Sequence, residues 1–180
     1  MLHMKGDIGV FLDDDVVLEH DSMIRIANAY IEHKDADIIT FQSQYFSGKY
    51  FKSYSDNSFK HNKYTLKNIS DIEITFRKTI IEKKVLFNTL FGLGAKFPLG
   101  EYLIFLTDCY NAESNMYYVP GVIVKHPDCL HSGIQFIQNY EEGRGALFAC
   151  LSKYLFPFMI FYFAIRKYSM YKNKHSFWRE

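Results

Sequence analysis

The chain has 180 residues, of which 48% are hydrophobic, 23% charged and 18% aromatic. That is enough apolar material for a sizeable packed core, and it excludes a disordered chain, a collagen-like repeat and a disulfide-dense miniprotein. The net charge of +1 hides an asymmetry: −6 over residues 1–37, +3 over 38–165 and +4 over 166–180. An acidic head and a basic tail suit a cation site near the start and an anionic surface near the end. A nucleic-acid binder would be basic across a whole face, so no nucleic acid is expected as a partner. Cys109, Cys129 and Cys150 are odd in number and form no CxxC, which argues against a disulfide framework or a zinc cluster and for a reducing compartment. Met1 to Asp7 lack the long apolar stretch of a signal peptide.

Ile8 to Leu12 is a short apolar run that stops at Asp13-Asp14-Asp15, as a buried strand does when it empties into a loop. The next segment predicts a helix capped by Asp21 or Ser22, with Met23, Ile26, Ala27, Tyr30 and Ile31 on one face. Asp37 to Gln42 reads as the following strand, and strand, helix, strand predicts a parallel α/β unit with the two strands adjacent. Tyr45 to Asn68 lacks periodicity and predicts a long loop or loose hairpin, functional or mobile. Asp71 to Phe76 reads as a strand and Arg77 to Lys83 as a short helix. Leu90 to Ala95 is a glycine-punctuated loop. Gly100 to Tyr110 has helical spacing, with Tyr102, Leu103, Leu106 and Tyr110 sharing a face. Two short strands, Met116–Val119 and Val122–Val124, are expected on either side of Pro120-Gly121.

Residues 146–165 are a different material. About twenty mostly apolar residues match the thickness of a hydrocarbon core, and Arg166, Lys167, Lys172, Lys174 and Arg179 follow. Lys153 and Pro157 weaken a full span. An apolar helix beside a basic, aromatic tail predicts a membrane anchor, interfacial or re-entrant, with Tyr162, Tyr168, Tyr171 and Trp178 at the interface. The alternative is a buried C-terminal helix. The division expected is 1–145 as a catalytic-type domain and 146–180 as hydrophobic helix and basic tail.

Three places can carry chemistry. Asp13, Asp14 and Asp15 repel one another and call for a cation or full solvation; Mg²⁺ or Mn²⁺ prefers such hard oxygen ligands and bridges to phosphate. In an extended segment Asp13 and Asp15 point together and Asp14 away. Glu101 begins the helix that follows Gly100, where an acid also suits the helix dipole. His126 ends a strand, a place where a lone histidine is commonly structural. Asp108, Cys109, Asp128 and His131 have no partner pattern.

Taken in order, these pieces resemble the later part of a family 2 glycosyltransferase of the inverting GT-A type. The residues that carry the resemblance are Gly9 to Val16, Ala36 to Ile39, Ile72 to Arg77, Phe91 to Ala95, Gly100-Glu101 with Phe105-Leu106, and Tyr117 to Pro120 followed by His126-Pro127. The resemblance implies a partial GT-A mixed sheet with flanking helices and a C-terminal hydrophobic helix. It implies that Asp15 ligates the cation on a nucleotide-sugar diphosphate, with Asp13 contacting the ribose side or the metal through water and Asp14 beside them in the donor site. Glu101 matches the base that deprotonates the acceptor hydroxyl, although Tyr102 stands where the family has a second acid. His126 matches a histidine near the metal or diphosphate. Gly92, Gly94 and Gly100 would line the acceptor site.

The implied activity is sugar transfer from a nucleotide-sugar to a saccharide or lipid-linked acceptor of bacterial cell-surface polysaccharide, at the cytoplasmic face of the membrane. The chain starts almost at the DxD strand, so the strands that grip the nucleotide base are expected elsewhere, in a missing front half or a partner chain. Two alternatives stay open: an inactive remnant or interaction module, and a phosphatase of haloacid-dehalogenase type using Asp13 as nucleophile.

Overall fold

The structure is a computed structural model that describes residues 4–128, 140–152, 155–166 and 168. Expectations placed on Cys129, His131, Lys153, Lys167, Tyr171, Lys172, Lys174, Trp178 and Arg179 lie outside the described residues. The described residues up to Asn88 and from Glu101 to Asp128 form one compact unit; Thr89–Gly100 and those from Tyr140 onward form a second.

The first unit is mixed α/β. Its strands are β1 (Ile8–Val10), β2 (Val17–Leu18), β3 (Ile38–Tyr45), β4 (Phe59–Lys60), β5 (Ile74–Arg77) and β6 (Met116–His126). They form one sheet in the order β1-β5-β3-β6-β2, with β4 paired to β6 off this path. β5 runs antiparallel to both β1 and β3, and β3 runs parallel to β6. So β1, β3 and β6 point the same way, and their carboxyl ends share one side of the sheet. The expected adjacency of the first two strands is corrected: β5 lies between them and pairs with both, Phe76 opposite Gly9 and Ile38. Gly9 permits this pairing, because the Phe76 ring occupies the place a side chain would take, 2.5 Å from a Cβ built there.

Helix α1 (Ser22–Glu32) carries its buried face on Ser22, Ile26, Ala29 and Tyr30. Met23, Ala27 and Ile31, expected on that face, are exposed. Tyr30 sets the rotation, since its hydroxyl bonds Thr75 Oγ1 at 3.0 Å and accepts from the Ile39 N–H at 3.2 Å. Asp21 occupies the cap position but its side chain makes no capping bond. Alternation along β3 then divides the core. Ile38 joins Leu66, Ile74, Phe76, Phe105 and Met116 on one face, while Ile39 and Phe41 join Ile26, Tyr30, Ile123 and Val124 on the other.

Pro120-Gly121 does not separate two strands. β6 is continuous, and register shifts between Thr40 and Ser43 absorb the extra residues. Proline lacks a donor for the ladder, so the bulge removes the need for one. Gly121 has φ +143°, and Arg25 Cδ packs 2.7 Å from where its Cβ would stand.

The segment after β3 is tied down rather than loose. β4 pairs with β6, and Glu73, 2% exposed, accepts from Lys52 Nζ at 2.8 Å, Tyr54 Oη at 2.5 Å, Ser43 Oγ at 3.0 Å and the Ser70 N–H at 3.0 Å. The expected strand from Asp71 begins as a 3-10 turn, Asp71–Glu73, and becomes β5 at Ile74. Helix α2 (Thr79–Glu82) follows. Asp37 closes this region: burial raises its pKa, but hydrogen bonds from Lys83 Nζ, Thr79 Oγ1 and the Asn115 N–H outweigh burial and hold it below the usual carboxylate value. Helix α3 (Glu101–Asn111) buries Ile104, Phe105, Leu106, Thr107 and Cys109; Tyr110, expected on this face, is 37% exposed.

The second unit contains α4 (Tyr140–Leu151) and α5 (Phe156–Arg166). The single apolar helix expected over 146–165 does not form. The chain breaks after Leu151, where the Leu155 N–H donates to Ser152 Oγ at 3.2 Å. Pro157 sits in the first turn of α5, where its missing N–H would have no intrahelical partner in any case. It starts a helix instead of kinking one. Among the described residues no helix is long and apolar enough to cross a membrane.

Two outcomes follow from the buried polar groups. Lys52→Met leaves the Glu73 carboxylate buried without its cation and should destabilise the fold by about 3 kcal/mol, read by urea denaturation. His61 bridges Thr40 Oγ1 at 2.8 Å and Thr65 Oγ1 at 3.0 Å, and burial, with the charge on Lys52, lowers its pKa from 6.5 to about 4. The stability it contributes is full above pH 6.5 and lost as pH falls through about 4, because the unfolded chain takes up the proton first. His61→Gln should therefore flatten the decline of Tm across that window.

Candidate active site

The site is built at the carboxyl ends of β1, β3 and β6. The Phe11 N–H still donates to the Ile74 carbonyl at 3.1 Å, one residue past β1. Leu12 then leaves the core, 45% exposed, and the chain turns at Asp14-Asp15 before β2. The expected extended alternation is thus replaced by a turn. Burial first, then the charges of Asp71 and Asp15, raise the Asp13 pKa; His126 opposes them, and Asp14 adds the weakest push. Asp13 and Asp15 therefore share one electrostatic neighbourhood with His126 and Asp71.

His126 ends β6, with ring edges against Phe51 at 5.6 Å and Tyr45 at 6.4 Å. Its Nδ1 lies 2.7 Å from the Pro127 carbonyl oxygen. A carbonyl only accepts, so Nδ1 carries the hydrogen. Nε2 lies 3.5 Å from Asp15 Oδ2, an ion pair when the ring carries both hydrogens; only the neutral ring offers its Nε2 lone pair to a metal. A backbone carbonyl that fixes the tautomer in this way is a common support for a metal-binding imidazole.

Glu101 stands at the start of α3, and the next residue links that helix to the aspartates. The Tyr102 ring packs on Phe11 at 5.6 Å and on Phe87 at 5.4 Å. Burial, and after it the carboxylates of Asp71, Asp13 and Glu101, push the Tyr102 hydroxyl up to about 12. It remains protonated at neutral pH and can donate. The structure thus places Asp15 against His126, with Asp13 and Tyr102 within reach of each other's electrostatic influence, and Glu101 is Tyr102's neighbour in the chain. Gly92, Gly94 and Gly100 belong to the second compact unit, where all three have positive φ.

Asp71 is the residue that sequence reasoning missed. Its signal was present: Ser70 and Glu73 are spaced as a capping pair, and the Ser70 N–H does donate to Glu73 Oε2. That turn opens β5, which is antiparallel to β1, so the start of β5 meets the end of β1. Only the pairing reveals this.

Asp13 and Asp15 carry carboxylate oxygens, the ligand type that a hard divalent cation takes. Among the described residues no three histidine, cysteine, aspartate or glutamate side chains form a ready cage.

No protein-family model matches the sequence, and no curated protein matches it. Solved structures do match. The crystal structure of S. aureus TarS residues 1–349, a glycosyltransferase, superposes with a TM-score of 0.55 at 13% identity, covering 99% of this chain and 52% of that one. A second S. aureus TarS structure gives a TM-score of 0.55 at 12% identity, covering 82% of this chain and 25% of that one. The chain therefore spans about half the length of the TarS 1–349 structure. Similarity at this identity establishes architecture, and the architecture is a glycosyltransferase-like mixed α/β fold.

Proposed function

We propose that this chain is the diphosphate- and acceptor-handling part of an inverting family 2 glycosyltransferase. The observation that carries the reading is the Asp13–Asp15 turn at the carboxyl mouth of three parallel-pointing strands, with His126 Nε2 3.5 Å from Asp15 Oδ2, where ligands of open α/β sheets bind. The glycosyltransferase-like fold supports it. The phosphatase alternative gains nothing from these neighbours.

In this reading Asp15 and Asp13 hold Mg²⁺ or Mn²⁺, with Asp14 at the donor side and His126 as a further ligand. A bound cation neutralises the charge that develops on the departing diphosphate. Glu101 accepts the proton of the attacking hydroxyl, and Tyr102 donates a hydrogen bond beside it. One displacement inverts the anomeric centre. The acceptor is a saccharide or lipid-linked sugar of a bacterial surface polymer. β1 is an edge strand of the sheet among the described residues.

Two measurements test the reading. Mn²⁺ binding in the presence of UDP, followed by calorimetry, should weaken at least about tenfold in Asp15→Asn; equal binding by both forms removes the metal role. In any preparation that transfers sugar, Glu101→Gln should lower kcat by about 10²–10⁴ with donor affinity nearly unchanged. Turnover close to wild type in that variant places the base elsewhere.

A further inference from the structure

Helix α5 has the wrong surface for water. Met159 and Phe163 are half-buried, and the Phe163 ring meets the Phe148 ring of α4 at 5.8 Å, edge to face. Every other described side chain before Arg166 faces solvent, and all are apolar or aromatic. Phe158 is 73% exposed, Phe161 67%, Ile165 63% and Tyr162 62%. A surface helix in a soluble fold places polar groups on that arc; one that is apolar all round is buried in protein or lipid. The helix has 11 residues, so it extends about 16 Å against a hydrocarbon core of about 30 Å. It cannot span, and it carries no acidic residue. From Arg166 to the last residue the sequence holds five bases and one acid.

We propose that α5 lies flat in the interfacial layer of an anionic membrane. Phe158, Phe161 and Ile165 insert toward the acyl chains, the Tyr162 ring sits at the water boundary, and Arg166 reaches the phosphates. Apolar area supplies the depth of insertion and the following cations supply the preference for negatively charged lipid. The juxtaposition of a wholly apolar exposed arc with a run of bases selects lipid over a protein partner, because lipid offers an apolar layer directly beneath a sheet of negative charge. α5 is a separate helix that starts at Phe156, and a helix of this length can lie along a surface. The inference rests on the α5 surface and the bases that follow it in the sequence, and stands apart from the reading of sugar transfer.

Flotation of the full chain through a density gradient tests it, with vesicles of phosphatidylcholine and vesicles containing about one-third phosphatidylglycerol. The chain should float with the anionic vesicles, at least about tenfold more than with the neutral ones, and high salt should reduce the difference. The double variant Phe158→Asp, Phe161→Asp should lose flotation by about tenfold or more while keeping the circular dichroism and Tm of the wild type. Tyr64→Asp, a change at a side chain that is 80% exposed in the first unit, controls for general surface hydrophobicity and should float normally. Wild type that stays at the bottom of the gradient, or a double variant that floats like wild type, overturns the proposal. So does a discrete oligomer that ignores vesicles and dissociates on the double substitution, since a second copy would then cover the helix.

Discussion

The buried carboxylate of Glu73 is the constraint on which the first unit depends. A charge this deep is tolerated only when it is paired and its lone pairs are filled. Lys52 and Tyr54 reach it from the segment after β3, Ser43 from β3 itself and the Ser70 backbone from the turn before β5. One side chain therefore joins three stretches of chain that hydrophobic packing alone would leave free to slide. Lys52 also donates to the Asn68 carbonyl and to Ser70 Oγ at 3.1 Å, which closes the turn from the other side.

The same logic explains the second half of β3. Ile38 and Ile39 are buried by apolar neighbours, but Thr40, Gln42 and Ser43 are buried polar groups in the same strand. Each is answered from a distance: Thr40 by His61, Gln42 by Tyr118, Ser43 by Glu73 and Tyr54. No described buried side-chain nitrogen or oxygen lacks a partner. A central strand that turns polar toward its carboxyl end brings polar chemistry to that end of the sheet, and the satisfying partners make it rigid.

The mouth of the sheet shows how a turn can do what an extended strand was expected to do. Asp13 and Asp15 reach one neighbourhood because the chain folds back at Asp14-Asp15, and His126 is aimed by its own following carbonyl. Aromatic packing of Tyr102 on Phe11 then ties the start of α3 to the end of β1. The site is thus supported by contacts made one or two residues from the charges, where packing fixes position without neutralising them.

Much of the element order was legible in the sequence. The apolar run ending at three aspartates, the helix after it, the strand at Ile38 and the helix opening at Glu101 follow from periodicity and from residues that stop or start such patterns. Asp13, Asp15, Glu101 and His126 were nameable because their residue types and flanking strands or helices are local properties. What the sequence could not disclose depends on partners far along the chain. The insertion of β5 between β1 and β3 comes from the Gly9–Phe76 fit, and the presence of Asp71 at the site follows from that insertion. The rotation of α1 comes from the hydrogen bond between Tyr30 and Thr75. The continuity of β6 through Pro120 comes from a bulge that β3 tolerates. Composition by itself determined that residues 146–165 are apolar and followed by bases, and the local bond from the Leu155 N–H to Ser152 Oγ and Pro157 in a first turn start a new helix there. Only the tertiary structure decided which side chains of that helix are covered, because Phe163 packs on Phe148 of α4 while Phe158, Phe161 and Ile165 meet no such partner among the described residues and stay exposed.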